Sequence, residues 1–172
     1  TPPNCPSNRG RIRKTIRKRE NLLMVFVGTE LSATHPEAGI ETNRWEKLAT
    51  ATLKAENAPN GELNLIFVDE EKMSELNSTH MGKKGPTDVL AFPIDAIGHT
   101  EADTPQLLGD VIICPAIARQ NAERQDKDFE EEIALLVLHG ILHILGYDHA
   151  CTDDSLIMKR REKQLLADLY AS

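Results

Sequence analysis

Three histidines near the C-terminal end of the chain have the spacing of a metal site. They are His139, His143 and His149, in the run His-Gly-Ile-Leu-His-Ile-Leu-Gly-Tyr-Asp-His. Helix residues four apart lie on one face, so the first two imidazoles can share one ligand. Gly146 can take the left-handed conformation that ends the helix, which lets His149 return toward them. Three neutral imidazoles suit Zn²⁺, with Ni²⁺ or another divalent transition metal as alternatives, and leave one coordination position open for catalysis.

The residue after the first histidine argues against one kind of chemistry. Zinc peptidases with the H-E-x-x-H pattern place there the glutamate that accepts a proton from the metal-bound water. In this chain the position is Gly140. We therefore expect a metzincin-like metal-binding helix, whereas peptide hydrolysis by the peptidase route loses its general base.

The charge of the chain is unevenly distributed. The formal net charge is −7, but residues 1–20 carry +6 and the rest of the chain carries −13. Residues 1–20 are rich in proline and basic residues and are expected to form a disordered tail, either an RNA-attracting arm or a solvated extension. Residues 21–172 are expected to form one domain. Because this domain is acidic, RNA binding would have to rely on local basic clusters.

The expected location is the cytoplasm. The three cysteines, Cys5, Cys114 and Cys151, are too few to indicate a disulfide framework and fit a reducing compartment. No segment approaches the roughly 20 apolar residues that cross a bilayer, and no signal-peptide pattern is present. We therefore expect a soluble protein with no membrane partner.

Hydrophobic periodicity predicts the elements that position the histidines. Strands are expected at about 22–27, 62–68, 88–92 and 107–114, and helices at about 40–56, 69–79, 115–125, 128–145 and from 152 onward. Asp69 and Asp128 are the expected N-caps of two of these helices. In the last helix, the residues expected to face inward are Leu156, Ile157, Leu165, Leu166 and Leu169. The order predicts a single α+β domain, in which helices cover a small mixed sheet of about four strands.

Three segments together resemble one family. They are Gly-Pro-Thr-Asp-Val-Leu-Ala-Phe-Pro at 85–93, Leu-Gly-Asp-Val-Ile-Ile-Cys at 108–114 and the histidine run at 139–149, and they resemble the YbeY family of bacterial ribosomal RNA maturation factors. The resemblance implies zinc bound by His139, His143 and His149. It also implies a metal-dependent, single-strand-specific endoribonuclease acting in 16S rRNA 3′-end maturation and ribosome quality control. Ribosomal RNA and the small ribosomal subunit are then the expected partners, with ribosomal or assembly proteins as further candidates.

One departure from the family pattern concerns activity. Members commonly carry an arginine in the loop before Pro-Thr-Asp, where this chain has Met81. Methionine cannot replace a guanidinium, so weaker nuclease activity is expected. Lys83 or Lys84 can bring a positive point charge toward a phosphate. Both are therefore candidates for RNA binding, and Lys83 is a candidate for catalysis.

The mechanism and the function each leave alternatives open. Zinc can supply a hydroxide that attacks phosphorus, or one that helps to deprotonate the ribose 2′-hydroxyl. Asp110 is the candidate catalytic carboxylate, with His80 and Asp148 as other proton carriers, although Asp148 is better suited to orienting a ligand histidine. The competing functions are a ribosome-assembly binding factor with a mainly structural zinc, and a metallohydrolase of peptides or small molecules.

Overall fold

The computed structural model describes residues 22–94, 106–148 and 151–170. The predicted basic tail and His149 lie outside the described residues. The elements follow the predicted order, close to the predicted bounds. They are β1 (Leu23–Thr29), α1 (Thr42–Ala55), β2 (Gly61–Phe67), α2 (Glu70–Met81), β3 (Val89–Pro93), β4 (Gln106–Ile113), α3 (Pro115–Arg124), α4 (Phe129–Ile144) and α5 (Thr152–Leu165), followed by a π-helical turn (Leu166–Tyr170).

The strands form one mixed sheet in the order β1-β2-β4-β3. β1, β2 and β4 are parallel, whereas β3 runs antiparallel to β4. A bulge interrupts the pairing of β2 with β4 between Glu62 and Leu63. The prediction of a single α+β domain with a small mixed sheet covered by helices is confirmed.

The helix that carries the histidines is buried against this sheet. α4 packs on β3 and β4 and also contacts α1, α3 and α5. Its fully buried side chains include Ile133, Val137, Leu138, Ile141 and Leu142. Burying an aliphatic side chain of this size contributes roughly 1.5–3 kcal/mol, so the helix is firmly anchored before any metal binds.

The two predicted helix caps differ in outcome. The Asp69 carboxylate accepts a hydrogen bond from the backbone N–H of Lys72 at 2.8 Å, which confirms it as the N-cap of α2. Asp128 occupies the N-cap position of α4, but its side chain makes no capping hydrogen bond to the described first turn. The predicted side-chain cap is therefore wrong. Acidic residues in the first turn of α4 instead lie near the positive end of the helix dipole.

The inward face of α5 differs in part from the prediction, which is confirmed for Leu165. Leu156 and Ile157 are 49% and 55% exposed, so the expectation that they face inward is wrong. The buried residues of this helix are Met158, Glu162 and Leu165, at spacings of four and three. This spacing is one face of a helix, and it turns Glu162 toward α4.

Two further observations on the described residues concern a cysteine thiol and the character of the helices. Cys114 is a buried free thiol, and burial raises its pKa. Among residues 22–94, 106–148 and 151–170, no helix combines the length and apolar character that a membrane span requires.

Candidate metal centre and its pocket

The imidazoles of His139 and His143 face each other on one side of α4. Their Nε2 atoms are 3.1 Å apart, and the ring planes meet at 77°. Two zinc ligands with Zn–N bonds of about 2.0–2.1 Å at a tetrahedral angle would have nitrogens about 3.3 Å apart. The observed separation therefore fits two ligands of one tetrahedral ion.

The chain turns sharply after the second histidine. Gly146 has φ +100° and ends the helix in the backbone region that favours glycine, as predicted. The N–H of Tyr147 donates to the carbonyl of Leu142 at 3.0 Å, which folds the chain back over the last helical turn. His149 lies outside the described residues, so its place as third ligand stays a prediction. Among the described residues alone, no group of three or more histidine, cysteine or acidic side chains could hold a metal ion.

Glu162 of α5 is a site residue that the sequence reasoning missed. Its carboxylate makes a short hydrogen bond with Nδ1 of His139, and the residue is only 8% exposed. A carboxylate accepts, so Nδ1 is the donor of this hydrogen bond, and Nε2 is the ring nitrogen that faces His143. A signal was present in the sequence, because position 162 lies four residues after Met158 and three before Leu165 on one helix face. A glutamate on an apolar face needs a polar partner.

The neighbouring residue on α5 anchors the helix to two other segments. Arg161 forms an ion pair with Glu56, at the C-terminal end of α1, and the hydroxyl of Tyr147 donates to the same carboxylate at 2.9 Å. Burial, together with the hydrogen bond to Glu56, raises the pKa of Tyr147 to about 12. This three-residue cluster ties α1, α5 and the turn after α4 together.

Gly140 marks the closest approach of α4 to the sheet. A Cβ at this position would lie 2.4 Å from Cγ1 and 3.1 Å from Cγ2 of Val111 on β4. A contact of 2.4 Å is essentially never found for a real Cβ atom, so the backbone of α4 can pack here only because the residue lacks a side chain. A glutamate at position 140 would meet the same obstruction.

A pocket of about 600 Å³ opens beside the two histidines. Its lining comes from the end of α2 and the loop after it, from β3, from α4 and from the turn after α4. The polar and charged lining residues are Asn77, Lys83, Thr87, Asp88, His139, His143, Tyr147 and Asp148. This volume is within the range of ligand-binding clefts.

The loop after α2 brings Lys83 to this pocket. Gly82 ends α2 in the left-handed conformation, with φ +63°, and Gly85 has φ +82°. The buried amide of Asn77 donates to the carbonyl of Gly85 at 2.8 Å and so holds the far end of the loop. Lys83 and Met81 both line the pocket, and Met81 is 51% exposed. The adjacent Lys84 is not among the described lining residues.

The predicted proton carriers are placed differently from one another. Asp148 lines the pocket. Asp110 lies outside the described lining of the pocket. It pairs with Asn64 on the neighbouring strand, and the Asn64 amide donates a hydrogen bond to the Asp110 carboxylate at 2.9 Å, on the face of the sheet opposite Val111. The ring of His80 packs against Phe92, also outside the described lining. Asp110 therefore keeps its catalytic role only as a prediction, without support from its position.

Sequence comparison relates the chain to one family of nucleases. The family model described as Endoribonuclease YbeY matches residues 30–170. The endoribonuclease YbeY of Thermobifida fusca is 43% identical over 139 residues, which cover 76% of this chain and 88% of that protein. Endoribonuclease YbeY of Frankia casuarinae is 40% identical over 152 residues, covering 84% of this chain and 74% of that protein.

Structural comparison gives a fold relative. A protein of Thermotoga maritima with a known solution structure superposes with a TM-score of 0.53 and 26% sequence identity. The match covers 86% of this chain and 93% of that one. The sheet and helices described above are therefore the fold of that protein as well.

Proposed function

This chain belongs to the YbeY family of endoribonucleases, and on that premise we propose that it hydrolyses phosphodiester bonds in single-stranded ribosomal RNA. The site is the pocket beside α4, and the proposed metal is one zinc ion held by His139, His143 and His149. The finer roles proposed are 16S rRNA 3′-end maturation and ribosome quality control in the cytoplasm. The single observation that carries the proposal is the pair of Nε2 atoms, 3.1 Å apart, beside a pocket that Lys83 also lines.

The donor set supports zinc as the metal. Imidazole nitrogens bind zinc, and the buried carboxylate on Nδ1 of His139 matches the second partner that ligand histidines usually have. A zinc ion bound there would supply Lewis-acid chemistry toward a phosphoryl oxygen and toward water. Nickel or another divalent transition metal would satisfy the same nitrogens.

The other pocket residues suit an RNA strand. Lys83 offers an ammonium group to a phosphate, as a point charge without the paired donors of arginine. Asp148, which also lines the pocket, can accept a hydrogen bond. A single strand can present its backbone to such a cleft because its bases need not stay stacked. At Gly140 there is no carboxylate to act as a peptidase base, which disfavours the peptide hydrolase alternative.

Met81 favours a second candidate function. It contributes an apolar surface to the pocket, at the position where the family resemblance implies an arginine. With this charge missing, the protein could act in ribosome assembly by binding RNA or ribosomal proteins, with a mainly structural metal. The two functions differ in whether the pocket cleaves or only binds.

Cleavage of a labelled ribosomal RNA fragment tests the proposal. The purified wild-type chain should cleave it, a chelator should abolish cleavage, and added zinc should restore it. His143→Ala should be inactive before and after addition of zinc, because one of the facing imidazoles is lost. Cleavage that survives both the chelator and the substitution would refute the assignment to this site. RNA binding by both proteins without cleavage by either would favour the assembly-factor function.

The two adjacent lysines offer a matched pair for RNA binding. Lys83→Ala should weaken binding and reduce the dependence of log K on log salt by about 0.7, the change expected when one single-strand phosphate contact is lost. Lys84→Ala removes the same charge one residue away, outside the described pocket lining, and should have the smaller effect. Equal effects of the two substitutions would mean that the pocket position of Lys83 is irrelevant to binding.

A further inference from the structure

We propose that Glu162 is a positioning residue that orients His139 for metal binding, so that the docking of α5 sets the metal affinity of the site. This inference rests on the proposed metal site and adds a residue from a separate helix to it. Glu162 and His139 are 23 positions apart, and their contact forms only in the folded chain.

The burial of Glu162 makes the contact with His139 persistent. The glutamate side chain is 10% exposed, and it lies on the face of α5 that also buries Met158 and Leu165. A carboxylate removed from water is costly unless a donor or a positive charge faces it. The Nδ1–H group of His139 is such a donor, so the buried carboxylate and the ring hold each other in place.

The contact fixes both the orientation and the proton of His139. With the proton on Nδ1, the Nε2 lone pair points toward Nε2 of His143, which is the arrangement that a shared metal ion requires. The negative charge of Glu162, on the far side of the ring, also favours a metal cation bound at Nε2. Loss of partners of this kind typically weakens metal binding by 10- to 100-fold.

The adjacent residue determines how α5 is docked. Successive residues of a helix point about 100° apart, so Arg161 and Glu162 contact different neighbours. Arg161 reaches Glu56 at the end of α1, while Glu162 reaches His139 on α4. α5 is therefore held at two neighbouring positions, which leaves little freedom to rotate Glu162 away from the imidazole.

Metal affinity in a Glu162→Gln variant tests the inference. Glutamine keeps the size of the side chain and removes its charge, and Glu46→Gln makes the same change at an exposed position of α1 as a control. Zinc dissociation constants are measured by competition with a chromophoric chelator, and the fold is checked by circular dichroism. We expect Glu162→Gln to bind one zinc 10- to 100-fold more weakly than the wild type, with Glu46→Gln unchanged.

A second measurement needs no substitution at Glu162. Nitrogen-15 NMR of the imidazoles in the wild-type chain reports which ring nitrogen of His139 carries the proton. The inference expects the proton on Nδ1, with and without zinc. A proton on Nε2 in the metal-free chain would overturn it, even if Glu162→Gln failed to fold.

The outcomes separate this inference from the proposed function. If the wild type binds zinc and Glu162→Gln binds it equally tightly, the positioning role is wrong and the metal site stands. If the wild type binds no zinc, the proposed metal site fails, and the positioning role fails with it. A loss of thermal stability in Glu162→Gln with unchanged zinc affinity would assign the residue a structural role only, which also refutes the inference.

Discussion

A Gly140→Ala substitution tests the close contact between α4 and the sheet. Two effects oppose each other at this position. Alanine favours a helix interior by about 1 kcal/mol over glycine. However, its Cβ would lie 2.4 Å from Cγ1 of Val111, whereas carbon atoms in contact are about 3.5–4.0 Å apart. An overlap of about 1 Å must therefore be relieved.

The surroundings of Val111 leave few ways to relieve this overlap. Val111 is fully buried on β4, and its branched side chain has a stiff χ1 angle. The new Cβ at position 140 would also lie 3.1 Å from Cγ2 and 3.4 Å from Cβ of Val111. Rotation of the valine about χ1 would therefore replace one crowded methyl group by the other. Inserting a methyl group into a packed core costs about 1–3 kcal/mol. This cost exceeds the gain in helix propensity, and we expect Gly140→Ala to lower the free energy of unfolding by up to about 2 kcal/mol.

Val111→Ala gives the matched second variant. Alone it should destabilise the protein by roughly 2–3 kcal/mol, because two buried methyl groups are lost and a cavity remains. In the double variant the new methyl at position 140 occupies the vacated space. The double variant should therefore be about 1–3 kcal/mol more stable than the sum of the two single changes predicts.

Urea unfolding of the wild type and the three variants measures this coupling. The midpoint should shift while the m-value stays constant, since the surface exposed on unfolding hardly changes. Additivity within about 0.5 kcal/mol would refute the contact. Stabilisation by Gly140→Ala alone would refute it as well, because that is the behaviour of an uncrowded helix position. Zinc content measured in parallel shows whether a shift of α4 by about 1 Å disturbs the two histidines.

Three further predictions concern stability. Burial raises the pKa of Glu132, so its stabilising contribution is present at acidic pH and lost as the pH rises through the folded-state pKa. The free energy of unfolding of Glu132→Gln should therefore exceed that of the wild type at pH 7, by on the order of 1 kcal/mol, and the excess should be smaller at pH 4. Urea titrations at the two pH values measure this difference. Tyr147→Phe removes the hydrogen bond to Glu56 and should cost about 1 kcal/mol by the same measurement, and an unchanged midpoint would contradict a role of this hydrogen bond in holding the turn after α4 to the end of α1. Gly146→Ala should cost about 1 kcal/mol because of its φ of +100°, whereas Gly28→Ala, in open space without a positive φ, should cost less in thermal unfolding.

Much of the architecture was predictable because its causes are local. The order of strands and helices follows from the periodicity of apolar residues, which depends on near neighbours in the sequence. The N-cap role of Asp69 and the left-handed Gly146 follow from single residues at helix ends. The facing imidazoles of His139 and His143 follow from helix geometry once the segment is known to be helical.

Other features depend on the way in which segments meet. The sequence does not show which face of α5 packs, since Leu156 and Ile157 suited the inner face as well as Met158 did. The separation of Lys83 from Lys84 depends on the loop held by Asn77 and two positive-φ glycines. Asp110 was singled out by its residue type, but the strand directs it to the face of the sheet that carries Asn64.

The sequence alone determined the pair of histidines, the helix that carries them and the missing peptidase base at Gly140. The tertiary structure decided why position 140 is a glycine and which carboxylate contacts His139. Both facts are contacts across long separations in the chain, with Val111 on β4 and with Glu162 on α5. Such contacts depend on how whole elements pack, and periodicity within a segment carries no information about the partner that it will meet.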